Sequence, residues 1–400
     1  MTTTTPFNPG GVYAPVGMHN KAVPRVFIAP ARYIQGPGVI GEIPRYLSLV
    51  GSQRPAVLAS RRSQNEEGGR LIAALRAMDV EVLVATFGGE CSLEEIQVHC
   101  AALQGENIDV LLAVGGGKCV DAAKAIAYRL GVQVVIVPTL ASNDAPCSAL
   151  SVLYTAEGVT AGFESYPLSP AMVVVDTEII AQAAERYLAA GMGDAMATWY
   201  EAKVCIDNVD ARTPIGARPT LAACAMGETC AHTLYEHGLA ASDAVRRSVI
   251  DDALERVVEA NTLLSGLGFE SGGIAAAHGV AQSYTNLPHV HAGYLHGEMV
   301  AMGLLTQLAM EGNVDETRKA AEFFSRIGLP VCLEQLSVER SDTVSLEVVS
   351  AAAVDFPLTH NMPFTVTPDV VKQAILDADS IGTRVAVDLG DLAYRRLQGL

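Results

Sequence analysis

Lysine is scarce in this 400-residue chain: six in all, among 27 basic residues set against 44 acidic ones, for a formal charge of −17. A surface with that balance repels a phosphate backbone, so nucleic acid is not an expected partner and a neutral small molecule is. Charge is thin altogether, at 18% of residues, while half are hydrophobic. That excludes a disordered chain and supplies material for large buried sheets and helix bundles. No apolar run reaches the roughly 18 residues of a membrane span. The opening MTTTTPFNPGG has neither the basic nor the apolar stretch of a secretion leader, so a cytoplasmic protein is expected. The eight cysteines are scattered, with no Cys-x-x-Cys pair. Spacing of that kind speaks against a zinc ribbon or a disulfide framework and for small buried thiols in a reducing compartment.

What is present is a change of pattern along the chain. At this length two domains are expected. Residues 1–24, rich in Thr, Gly and Pro, read as a loose arm. Short apolar runs follow at 25–30, 55–60, 80–87, 109–117 and 132–139, each predicted as a buried strand, with helical spacing over 66–78 and 92–104 between them. Alternation of this kind means a parallel sheet with helices on both faces. The runs at 147–155 and 171–177 add strands on either side of a hairpin-like excursion. Beyond about residue 180 the spacing is helical and strand signals vanish. The prediction is an α/β domain over 25–182 with a Rossmann-like parallel sheet, followed by an all-α domain over 183–400.

Three glycines, Gly115, Gly116 and Gly117, stand between the fourth strand and the helix after it, in LLAVGGGKCVDAAKAIA. Glycine there lets a backbone turn and lets a ligand approach closely, and the helix start offers free N–H groups to a pyrophosphate. A plain strand-to-helix turn would favour glycine too. The pattern is neither G-x-G-x-x-G nor a P-loop. Lys118 could add a positive charge or touch a ribose.

In the helical part a carboxylate and two imidazoles stand out: Asp194, His278 and His296, each in an apolar, glycine-flanked helical stretch. Three protein ligands with a fourth position open make a plausible catalytic zinc set. The other histidines fit less well. His232 and His237 are five apart and so off a common helical face. His289 and His291 read as a Pro/Gly loop, and His19, His99 and His360 have no partners in sequence.

At this point the segments GGGKCVDAAKA, IVPTLASNDAPCSALSVLYT, VVVDTEIIAQAAERYLAAGMGDAMATWYEA, GFESGGIAAAH and HGEMVAMGLLTQL together resemble one family. It is the glycerol dehydrogenase branch of the iron-containing (group III) alcohol dehydrogenase superfamily. The resemblance covers most of residues 25–330. It implies a dehydroquinate synthase-like architecture, with a nucleotide-binding domain beside a helical metal-binding domain and the active site in the cleft between. It implies Asp194, His278 and His296 as metal ligands, and Gly115 to Lys118 with Asp121 as the cofactor turn. It places Thr139, Ser142, Ser148, Leu150 and Tyr154 on the nicotinamide and ribose side. Asp144 is expected to hydrogen-bond a substrate hydroxyl, with turn capping as its plainer role, and Phe269 to wall the pocket. Octameric assembly is common in this branch, so a homo-oligomer is expected.

Iron members of the superfamily add a histidine four residues after the aspartate, where this chain has Thr198; the position one turn after His278 is Gln282. A three-residue O,N,N set suits zinc better than ferrous iron. The expected reaction is reversible oxidation of a secondary alcohol or vicinal diol. The metal polarises the oxygen and hydride passes to NAD(H) or NADP(H). Some pocket-proximal residues depart from the family, notably Asn143 and the GVAQSY after His278, so another diol, a hydroxyketone or a bulkier alcohol stays open as substrate. A dehydroquinate-synthase-like cyclase would need a basic cluster for its phosphate. The helical part has only Lys203, Lys319 and Lys372, none in a site segment. A catalytically silent relative is disfavoured by the intact Asp194, His278 and His296.

The end of the second strand bears on the cofactor. NAD-dependent relatives have an aspartate there for the ribose hydroxyls. This chain has Ser60, then Arg61 and Arg62, ahead of the helix predicted from 66. An arginine could pair with a 2′-phosphate, which points to NADP; a solvated surface pair is the alternative.

Overall fold

The computed structural model of the chain describes residues 6–400. Two compact units emerge. One is built mainly from Ile28–Ala183, the other from Gly10–Phe27, Ala184–Arg247 and Asp251–Leu400.

The first unit is an α/β fold. Its strands are β1 (Tyr33–Gly36), β2 (Pro55–Ala59), β3 (Leu83–Thr86), β4 (Val110–Gly115), β5 (Gln133–Pro138), β6 (Leu150–Tyr154), β7 (Thr160–Ser165) and β8 (Met172–Asp176). Six of them form one sheet in the order β1-β8-β5-β4-β2-β3, every pairing parallel. Two interior strands are buried along their whole length, PAVLA in β2 and MVVVD in β8, as a sheet covered on both faces requires. Helices α1 (Arg61–Asn65), α2 (Glu67–Ala77), α3 (Leu93–Leu103) and α4 (Gly117–Leu130) make the connections. The chain runs from β2 outward to β3, then returns to β4 on the other side of β2. That reversal sets the carboxyl ends of β2 and β4 side by side, with Ala59 paired to Val114. In an open α/β sheet a ligand binds in the crevice at such a switch point.

Three expectations need correction. The run 25–30 is not a strand; the first strand is Tyr33–Gly36. Pro24 and Pro30 bracket the run and remove ladder donors, and Arg25 makes only an isolated bridge to Arg218. The 147–155 run yields β6, which forms a two-stranded antiparallel sheet with β7 outside the main sheet. The residues after β2 are already helical at Arg61, because the Ser60 hydroxyl accepts the Ser63 N–H at 3.2 Å and caps α1.

The second unit is helical among its described residues. Its helices include the long α5 (Glu185–Asp207) and α6 (Leu221–Arg246) and the shorter α7 (Ser265–Gly272), α8 (Ala276–Tyr284) and α9 (His296–Met310). His289 and His291, expected in a loop, lie in a one-turn helix, Pro288–Gly293, which the proline at its first position favours. The arm is less loose than its composition suggests. The Asn20 amide donates to Asp210 at 2.5 Å and accepts from Arg212 at 2.6 Å; the arm's first five residues lie outside the described ones. All eight cysteines are free and none is exposed. Among the described residues no helix is long and apolar enough to cross a membrane.

Candidate metal centre and nucleotide crevice

Asp194 lies in the middle of α5, its side chain 1% exposed. A carboxylate is expensive to bury without partners, and here two imidazoles provide them. Asp194 Oδ1 is 3.4 Å from His278 Nε2 and 3.3 Å from His296 Nε2. One donor atom from each of the three residues falls within 4.8 Å of the other two. The chain closes this distance with glycine. A Cβ at Gly297 would run into the Ala190 carbonyl, and one at Gly193 into the Gly297 carbonyl, so only glycines let the start of α9 lie against α5.

The electrostatics follow. Burial alone would raise the Asp194 carboxyl, but His296 and His278 outweigh it and hold it well below the usual carboxylate range. Burial alone would lower His278; Glu201 and Asp194 reverse that and push it well above the ordinary imidazole value. The two rings are unequal. His278 is 13% exposed and clamped, whereas His296 is 44% exposed and lies against Asp194 and the His278 ring.

The clamp is Glu201, which the sequence reading missed. Its carboxylate accepts the His278 Nδ1–H at 2.5 Å through Oε2, and the backbone N–H groups of Ala275 and His278 at 2.8 and 2.9 Å through Oε1. A signal was available: Glu201 follows Asp194 by seven residues, two turns along one face of α5. A second missed pair steadies His296. Glu298, fully buried two residues on, accepts the Leu295 N–H at 2.7 Å and two bonds from Arg186, at 2.8 and 2.7 Å, fixing the start of α9.

One carboxylate and two imidazoles converging from three helices, one of them opening to solvent, fit a divalent ion with a position left for substrate. Thr198 and Gln282, where iron relatives place histidines, are turned to other partners, Ser265 Oγ at 2.9 Å and Thr285 Oγ1 at 3.4 Å.

In the first unit, Gly115–Gly117 and Ser60–Arg62 flank the switch-point crevice, tied together by Ser63 Oγ donating to the Val114 carbonyl at 3.3 Å. None of the three glycines has a positive φ. Close approach explains them: a Cβ at Gly115 would lie 2.7 Å from that of Cys119, and one at Gly117 would lie 2.6 Å from Asn143 Nδ2. The N-cap of α4 is Gly116, which has no side chain to cap the first turn, and this suits the helix start to an anion such as a pyrophosphate.

Other expected cofactor residues are placed differently from one another. Lys118 pairs with Glu90 at 2.6 Å and lies 4.8 Å over the Tyr154 ring. Asp121 and Ser148 are buried and joined to Lys124, Asp121 at 3.0 Å and the Ser148 hydroxyl at 3.1 Å; Asp121 also accepts the Val152 N–H at 3.0 Å. The Leu150 carbonyl accepts from the same lysine at 2.6 Å. These side chains spend their polar atoms inside the unit, shaping the turn from beneath. Thr139 is buried beside Gly115, its N–H on the Gly115 carbonyl at 3.1 Å, and Ser142 is half-buried. Asp144 is nearly buried and precedes a short 3-10 turn, Ala145–Cys147, which its side chain does not cap. Phe269 is buried in α7 of the helical unit. Arg62 is held by Glu66 and by Glu67, the latter at 2.5 Å, while Arg61 is exposed and makes no such bond among the described residues.

Comparisons with known proteins show the family. Residues 30–177 match the family described as iron-containing alcohol dehydrogenase. A glycerol dehydrogenase from Escherichia coli O6:H1 is 43% identical over 362 residues, covering 90% of this chain and 98% of that protein. The chain belongs to the iron-containing alcohol dehydrogenase family, in its glycerol dehydrogenase branch. Within the family, a glycolaldehyde reductase from Halobacterium salinarum is 38% identical over 90% of this chain and 98% of its own. The crystal structure of glycerol dehydrogenase from Schizosaccharomyces pombe superposes with a TM-score of 0.87 at 34% identity, covering 92% of this chain and 93% of that one. The family's two-part architecture, a parallel-sheet domain and a helical domain, is the one found here.

Proposed function

We propose that this chain is a metal-dependent, NAD(P)-linked dehydrogenase that reversibly oxidises a secondary alcohol or vicinal diol, glycerol or a close analogue, to the ketone. The observation that carries the reading is the convergence of Asp194, His278 and His296 on one point. Asp194, His278 and His296 would hold the metal, and zinc suits a three-residue O,N,N set with Thr198 and Gln282 engaged elsewhere. A divalent ion there supplies Lewis-acid polarisation of the alcohol or ketone oxygen, and a nicotinamide supplies the hydride acceptor or donor. The chain's own residues do the positioning. The glycine turn and the uncapped start of α4 would seat the pyrophosphate. Tyr154, Thr139 and Ser142 lie on the strands and turns beside it. Asp144 is assigned to a neighbouring substrate hydroxyl, and Phe269 to the pocket wall. The relative named as a glycolaldehyde reductase keeps small hydroxycarbonyls in view as substrates.

Chelation followed by reloading tests the reading. Treatment with EDTA is expected to abolish glycerol oxidation, and zinc to restore it more fully than ferrous iron. Full turnover by metal-free protein would overturn it. On the cofactor, the reading is that NADP is accepted at least as readily as NAD. It is supported by Ser60 in place of a carboxylate and by the exposed Arg61 beside it.

A further inference from the structure

Glu201 makes three hydrogen bonds from a fully buried position. Two of them have an ordinary structural explanation. Helix α8 begins at Ala276, and Ala275 before it has no side chain able to cap. The N–H groups of Ala275 and His278 would be buried without partners, and Glu201 Oε1 takes both. Gln307 takes the Ala277 N–H at 2.9 Å in the same way. Capping needs only one acceptor oxygen. It does not account for Oε2, which faces His278 Nδ1 at 2.5 Å.

A carboxylate oxygen accepts and cannot donate. A neutral imidazole that meets it must therefore carry its hydrogen on Nδ1, which leaves the lone pair on Nε2. That nitrogen is the one facing Asp194, 3.4 Å away. Among the described residues His296 has no equivalent partner behind its ring. The two imidazoles thus differ: in the neutral form that can bind a metal, His278 is held in a single tautomer by Glu201 and His296 is free to choose. Glu201 and Asp194 also share one helix, so the residue that orients His278 moves rigidly with the carboxylate that completes the set.

We infer that Glu201 is a positioning residue that fixes the tautomer and ring orientation of His278, so that its Nε2 is presented to a divalent metal. The inference rests on the metal reading above and deepens it. Carboxylates behind ligand histidines commonly contribute ten- to hundredfold in metal affinity.

Glu201→Gln separates this role from capping. The amide keeps an oxygen for the two backbone N–H groups but turns an NH2 toward His278. That favours the opposite tautomer, with hydrogen on Nε2. The experiment is zinc titration of chelator-stripped protein against a competing dye, with thermal unfolding of the metal-free forms. Wild type is expected to bind one zinc per chain. E201Q is expected to unfold within a few degrees of wild type when metal-free, yet to bind zinc roughly tenfold to a hundredfold more weakly. E201D, which restores an accepting oxygen on a shorter arm, should recover part of the loss. Equal zinc affinity in wild type and E201Q overturns the role of Glu201 while leaving the metal reading in place. A wild type that binds no zinc overturns both. If E201Q does not fold, histidine-selective 15N labelling of the wild-type zinc form decides. A hydrogen on His278 Nδ1 with Nε2 bound is expected, and a hydrogen on Nε2 refutes the inference.

Discussion

Arg61 and Arg62 are adjacent, yet their freedom differs. Glu66 and Glu67 hold the Arg62 guanidinium. Burial alone would lower that group slightly, but the two carboxylates outweigh it and raise it above its ordinary value. Its charge is already spent on joining α1 to α2. Of the two, Arg61 is the exposed one with no such pairing among the described residues, so it is the guanidinium assigned to a 2′-phosphate. An exposed charge-assisted pair of this kind contributes about 1 kcal/mol. Arg61→Ala is therefore expected to lower kcat/KM with NADP roughly fivefold and to leave NAD unchanged. Arg62→Ala should affect both cofactors alike, through the start of α2. Steady-state kinetics with both cofactors checks this, and an equal loss with NAD and NADP in Arg61→Ala would remove the NADP reading. The pairing of Arg62 was not legible in the sequence, since four- and five-residue offsets to Glu66 and Glu67 become contacts only once Ser60 has started the helix. Asp194, His278 and His296 were legible because a carboxylate and imidazoles in apolar helices need partners. Glu201 was hidden because a glutamate in a helix looks like a solvated one until its burial is known.

At the level of elements, what periodicity could reveal was the alternation of strand and helix; what it could not was where backbone donors run out. The 25–30 run has the composition of a strand but is flanked by prolines, and the PHVHAG segment has the composition of a loop but the start of a helix. One further contact belongs to this scale. Asp109, just before β4, accepts from the Ser52 hydroxyl at 2.6 Å and from the N–H groups of Gln53 and Arg54 at 2.6 and 3.0 Å. It ties the lead-in of β2 to β4 at the end of the sheet opposite the crevice. Partial burial would raise its carboxyl, but these hydrogen bonds outweigh it and lower it below the model-peptide value. A depressed folded-state pKa means stability that is fully present above the unfolded value, near 3.9, and lost as pH falls through the folded one. Asp109→Asn should cost on the order of 1 kcal/mol at pH 7, screened as a partly exposed group is. The gap to wild type should narrow steadily below about pH 4. Urea unfolding at pH 7 and pH 3 measures it, and a gap that widens in acid contradicts the assignment.

For the molecule as a whole, the two kinds of chemistry fall on two different stretches of chain. Every residue of the metal set and its clamp lies between 186 and 307, in the helical unit, and the crevice residues lie between 60 and 154, in the sheet unit. The change from alternating to purely helical spacing near residue 180 falls close to the limit between the units at Ala183 and Ala184, because hydrophobic periodicity records the architecture each stretch needs. It did not foretell that residues 10–27 group with the helical unit, since that depends on side chains such as Asn20 meeting Asp210 and Arg212 far along the chain. The separation has a thermodynamic consequence. A ligand that binds only the folded form stabilises it by about 2.7 kcal/mol at 100 times its dissociation constant. The part of the structure that slows in hydrogen exchange is the part whose opening breaks the site. Zinc added to stripped protein should therefore protect amides of α5, α8 and the start of α9 most strongly. A nicotinamide dinucleotide should act first on the β2–α1 and β4–α4 junctions. Hydrogen exchange followed peptide by peptide, with each ligand alone, distinguishes the two footprints. Zinc protection centred on residues 60–154 would mean that the metal is held elsewhere than at Asp194, His278 and His296.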